Sequence, residues 1–238
     1  MTRFLQRQKR APLLLITVMA GGCAWSSGGG TAEVPEMHKN LSKTVDIQTG
    51  VVQGDLEKAQ DAASWIINRE GRIPFPSGGE SYEEEVLEYA SRIVAARDLP
   101  AVAAETSRLA SACGGCHQAM GGGPSFVVGG NVPRGESQEA LMVRHLWSVD
   151  RMWEGLVGPS EEAWMAGAKA MAETEPTLAR AFRGSDMPGR AEEFLREINL
   201  LATEALNAYD LGQRADVYGR LLATCNRCHT SRGIQVEK

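Results

Sequence analysis

Two pentapeptides in this chain carry side chains whose types and spacing could do chemistry: Cys113-Gly114-Gly115-Cys116-His117 and Cys225-Asn226-Arg227-Cys228-His229. Both read C-x-x-C-H. On a helix the two thiols of such a string lie about one turn apart on one face, so each sulfur can add across one of the two vinyl groups of a haem. The histidine that follows is then placed to ligate the iron from below. On this reading Cys113, Cys116, Cys225 and Cys228 attach two haem c groups, and His117 and His229 are the proximal iron ligands. Paired C-x-x-C strings also build four-thiolate zinc sites, but zinc ribbons join their pairs by a short loop. Here the strings are offset by 112 positions and a histidine ends each one. A thioredoxin-like dithiol would need its motif beside a βαβ pattern, whereas these strings lie in Ala-rich helical sequence.

The elements that would deliver such a protein to the place of haem attachment stand at the N-terminus. Arg3, Arg7, Lys9 and Arg10 precede an apolar run from Ala11 to Ala20, the pattern of an export signal over residues 1–22. The apolar run is short for a membrane span. Ala20-Gly21-Gly22-Cys23 resembles a lipoprotein cleavage box, with Ala20 where leucine is more usual, so Cys23 is the expected site of acylation. Residues 23–33, which contain Ser26-Ser27-Gly28-Gly29-Gly30, read as a flexible tether. These features predict the periplasmic side of a bacterial envelope, with a lipid anchor in a membrane.

Without residues 1–22 the chain keeps 30 acidic and 21 basic residues, a formal charge of −9. That balance argues against a nucleic-acid partner and suits steering toward basic redox partners.

The two strings each end a repeat. Shifted by 112 positions, residues 90–121 match 202–233 at eleven of 32 positions without a gap, among them Asp98/Asp210, Arg108/Arg220 and Leu109/Leu221. Upstream, Met37, Leu41 and Gly50 stand 105 positions before Met142, Leu146 and Gly155. An internal duplication explains both registers. Helical periodicity and caps predict four helices in each half. The first half has 34–53, a helix capped by Asp55, one started by a Ser81/Glu84 capping box, and one from Asp98 to the glycines at 121–123. The second has helices near 138–157, 160–172, 188–208 and 211–230, the last with Asp210 and Gln213 as a capping box. Strand patterns are scarce. The expected organisation is all-α, with a first haem c domain over 34–123, a linker over 124–136 and a second haem c domain over 137–238.

C-x-x-C-H late in the last of four helices resembles the four-helix-bundle cytochromes of the c′/c556 group, and its double occurrence resembles dihaem c-type cytochromes. The resemblance covers residues 34–123 and 137–233 and implies two tandem four-helix bundles, each with a covalently bound haem c. In that group the first helix supplies the distal side of the haem. The candidates for distal ligands here are Met37 and His38 in the first repeat, and Met142 and His145 in the second. Relative to the aligned methionines the histidines differ in register, and Asn40 occupies the place of His145. Arg108 and Arg220 are candidates for propionate pairing or for ordinary surface charge, and the tryptophans read as packing around the haems. The function expected is single-electron transfer between periplasmic donor and acceptor proteins, without enzymatic turnover. The alternative is a haem-based gas-binding or sensing protein of the c′ type, and after it a dihaem redox enzyme.

Overall fold

A computed structural model of the chain describes residues 24–25, 33–68, 75–126, 130–135, 137–181 and 189–231. The expected export signal and Cys23 lie outside these residues. The described part is all-helical apart from one short bridge. Its eight helices are α1 (Glu33–Gln53), α2 (Leu56–Asn68), α3 (Glu80–Ala95), α4 (Leu99–Met120), α5 (Gln138–Val157), α6 (Glu161–Ala181), α7 (Gly189–Ala205) and α8 (Leu211–Ser231). The bridge pairs β1 (Ala24–Trp25) antiparallel with β2 (Pro124–Ser125).

Local chemistry sets most boundaries. Asp98 accepts a hydrogen bond from Ala101 N at 2.9 Å to open α4, and Gly121 closes it in the left-handed region at φ 64°. Asp210 accepts from Gln213 N while the Gln213 side chain accepts from Tyr209 N, a reciprocal capping box at the start of α8. Asp55, Ser137 and Ser160 cap α2, α5 and α6 in the same way.

Two boundaries differ from the sequence reading. The cap of α3 is Gly79, without a side-chain bond, and Ser81 lies inside the first turn. Chain reversal there brings Pro76 O within 3.0 Å of where a Cβ on residue 79 would stand, so the tight turn rather than Ser81 sets the start. Helix α6 continues beyond residue 172, through Pro176, to Ala181. Proline cannot donate to the carbonyl four residues back, and that carbonyl, Ala172 O, is instead taken by Asn199 Nδ2 of α7 at 3.2 Å.

Within each repeat the helices contact one another in chain order and the last returns to the first: α1–α2–α3–α4–α1 and α5–α6–α7–α8–α5. Gly50 and Gly155, equivalent in the 105-residue register, let the first helix of each repeat approach the start of the second. A Cβ on Gly50 would lie 2.9 Å from Ala59 N, and one on Gly155 2.7 Å from Trp164 N. The two repeats share a broad seam in which α4 lies along α8, α1 touches α8 and α5 touches α4. Small residues allow it: a Cβ on Gly219 would stand 2.7 Å from Ser107 Oγ and 3.1 Å from Ala104 Cα. One apolar cluster runs through both repeats, from Ile47 and Val51 through Leu109, Met152 and Leu156 to Leu221 and Leu222.

Candidate functional site

Both C-x-x-C-H strings fall in the last turns of a terminal helix, α4 or α8. None of the four motif cysteines is in a disulfide. Burial pushes the Cys113 and Cys225 thiols up to about 12, with the neighbouring thiol adding to it, and burial also raises Cys116. Raised thiols are the opposite of what a dithiol nucleophile requires. Among the described residues no three His, Cys, Asp or Glu side chains converge on one point, so the four thiols are not gathered as a zinc site would need.

The motif histidines are held across the repeats. His117 Nδ1 hydrogen-bonds Val157 O in the last turn of α5 at 2.6 Å, and His229 Nδ1 hydrogen-bonds Val52 O in the last turn of α1 at 3.2 Å. Val52 and Val157 are equivalent in the 105-residue register, as His117 and His229 are in the 112-residue register. The arrangement is therefore a reciprocal exchange. A carbonyl only accepts, so Nδ1 donates; in a neutral ring this leaves the lone pair on Nε2, the tautomer that a metal-binding imidazole requires. Burial lowers the His117 pKa, which keeps the ring neutral, with the carbonyl bond acting in the opposite direction.

Two glycines make the first exchange possible. A Cβ on Gly114 would stand 2.1 Å from Leu156 O, and one on Gly123, whose φ is +123°, would stand 2.6 Å from His117 Cγ. The residue equivalent to Gly114 is Asn226, and the second exchange is correspondingly longer.

The candidate distal residues separate by burial. His145 lies early in α5 with its Nε2 fully buried and without a hydrogen-bond partner among the described residues. Burial, then the charges of His229 and Arg144, lower its pKa to about 4. The His145 ring therefore stays neutral and keeps a buried nitrogen without a hydrogen-bond partner among the described residues. In α1, His38 is exposed, while Met37 is half-buried with its sulfur 4.0 Å from Asn40 Nδ2. Met142 is half-buried against Leu141 and Leu195. Arg108 pairs with the half-buried Glu105, and Arg220 with the exposed Glu204 and Asp216.

Sequence reasoning missed the carbonyls of Val52 and Val157, because backbone atoms leave no signal in residue types. It also missed the contact point of the repeats, where Gln48 Nε2 donates to Tyr218 Oη at 2.7 Å and Tyr218 packs on Trp153 with ring centroids 5.8 Å apart. Gln48 and Trp153 are equivalent positions in the duplication, so the register contained a usable hint. Nearby in α5, burial raises the Glu154 carboxyl to about 7, against the attraction of Arg151.

No protein-family profile, curated protein or solved structure matches this chain. No described helix is long and apolar enough to cross a membrane.

Proposed function

We propose that this chain is an exported dihaem c-type cytochrome that carries single electrons between periplasmic redox proteins. One observation carries the reading. Each motif histidine gives its Nδ1 hydrogen to a backbone carbonyl, which turns Nε2 away from that carbonyl and orients it for ligation beside its C-x-x-C pair. In this reading Cys113 and Cys116 attach one haem c beside His117, and Cys225 and Cys228 attach the other beside His229. Haem iron supplies the one-electron change. The protein's part would be to hold His117 and His229 still, and the cross-repeat hydrogen bonds fix both rings. Each ring of four helices then forms one haem bundle of the c′/c556 kind, completed by the first helix of the other repeat. The N-terminal signal and an acylated Cys23 would tether it to a membrane on the periplasmic side, with no enzymatic role and no nucleic-acid partner.

His145 would be the further iron ligand at the second haem, on the strength of its orphaned Nε2. At the first haem α1 offers Met37 and Asn40 in the corresponding place, and asparagine is not a usual haem ligand. That asymmetry supports a second reading, in which the first site binds a gas such as carbon monoxide or nitric oxide. Counting covalent haem after acid–acetone extraction tests the main reading: two per chain are expected, and one after Cys113→Ala with Cys116→Ala. Adding carbon monoxide to the reduced protein should leave the second haem unchanged until His145→Ala opens it. Zinc without covalent haem would end the proposal. Full carbon monoxide binding at both wild-type haems would make gas binding the function.

A further inference from the structure

The duplication allows one repeat to be used as a guide to the other. In the second repeat Arg227, inside the C-x-x-C-H string, lies over the Phe194 ring with its guanidinium carbon 5.5 Å from the centroid, and it pairs with the Glu197 carboxylate. Thr224 Oγ1 completes the set, accepting from Arg227 at 3.0 Å and donating to Glu197 at 3.1 Å. The residues equivalent to Phe194, Glu197, Thr224 and Arg227 in the first repeat are Tyr82, Glu85, Ala112 and Gly115. The aromatic ring and the carboxylate are kept; the cation and the hydroxyl are gone. At that place a groove of about 700 Å³ opens between α3, α4 and α8, with Tyr82, Glu85, Ala112 and Gly115 in its wall.

The groove keeps the recognition half of an ion pair whose other half is missing. A Cβ on Gly115 would stand 3.0 Å from Tyr82 Cε1, so the ring lies over the glycine where Arg227 begins in the other repeat. Glu85 makes no ion pair among the described residues, whereas the neighbouring charges are matched: Arg92 lies over Tyr89, Arg108 pairs with Glu105, and Arg220 pairs with Glu204 and Asp216. A cation entering the groove therefore meets the Glu85 carboxylate and the half-buried Tyr82 ring, the two features that recognise a guanidinium, while the arginines in the wall, Arg108 and Arg220, are held by their own carboxylates.

We infer that this groove is a binding site for a guanidinium group, held between the Tyr82 ring and the Glu85 carboxylate in the way that Arg227 is held by Phe194 and Glu197. The inference rests on the geometry of α3, α4 and α8 and stands whether or not the haem reading holds. The guanidinium can arrive as a small free cation or on an arginine of a basic protein, the kind of partner that the chain's acidic balance would attract.

Calorimetric titration of the full-length protein with agmatine, and in parallel with a Gly-Arg-Gly peptide at equal concentration, tests it. Saturable one-to-one binding is expected. Gly115→Arg, which supplies the missing cation internally, should abolish it. Glu85→Gln should weaken it by roughly three- to fivefold, the factor that an exposed ion pair is worth, and Tyr82→Ala should weaken it as well. These two surface changes keep the test valid if Gly115→Arg fails to fold. Tighter binding of the peptide than of agmatine assigns the site to protein-borne arginine, and equal or weaker binding assigns it to a small cation. Absence of saturable binding of both probes to the wild type, or binding indifferent to Glu85→Gln and Tyr82→Ala, overturns the inference.

Discussion

At the residue scale, the x positions of C-x-x-C-H are free in the chemistry of haem attachment but not in this protein. Gly114 admits Leu156 O, Gly115 leaves room for Tyr82, and their counterparts Asn226 and Arg227 do neither. The first of these differences is directly measurable. Gly114→Ala forces a Cβ to within 2.1 Å of a backbone carbonyl that no rotamer can move. The last turn of α5 must shift, at a cost of about 1–3 kcal/mol, and the His117–Val157 bond should lengthen with it. Urea denaturation should report that loss, whereas Asn226→Ala, at a position already carrying a side chain, should cost less. Equal stability of Gly114→Ala and wild type would show that α5 does not press on the first motif.

At the element scale, α6 illustrates how a helix passes a proline. Pro176 leaves Ala172 O without its helical donor, and Asn199 on α7 supplies the bond from outside. Asn199→Ala should therefore cost about 1 kcal/mol, the usual net worth of such a hydrogen bond. In a Pro176→Ala background, where the backbone N–H returns, the same change should cost markedly less. A double-mutant cycle reads this coupling directly. Additive effects would mean that Asn199 does not stand in for the lost bond. The continuation past 172 has no local signal in the sequence, because the donor that compensates for Pro176 lies 27 residues away on another helix.

At the scale of the whole molecule, the repeats are joined through α4 and α8, and the apolar cluster is continuous across that seam. Gly219 lies at a close approach of α8 to α4, where even a methyl group would meet Ser107 and Ala104. Gly219→Leu should lower the melting temperature of the entire chain in one transition, because neither repeat can keep its side of the core when the helices part. Far-ultraviolet circular dichroism and tryptophan fluorescence should shift together. Separate melting of two halves would reject a shared core.

What could be read from the chain alone was whatever depends on local pattern. Eight helices follow from periodicity and from caps such as Asp98, Asp55 and the Asp210–Gln213 box. The two C-x-x-C-H strings follow from residue identity, and the duplication from self-comparison. The tertiary structure decided which carbonyls hold the histidines, which side of α1 leaves His38 exposed, that His145 Nε2 is buried without a partner, and that Gly115 opens a groove where Arg227 closes one. The physical reason is the same in each case. Capping and periodicity act within about one or two turns of helix, whereas these arrangements depend on close approach between helices far apart in sequence. Such approach is set by the volumes of residues on both sides at once, and by backbone atoms that every residue shares.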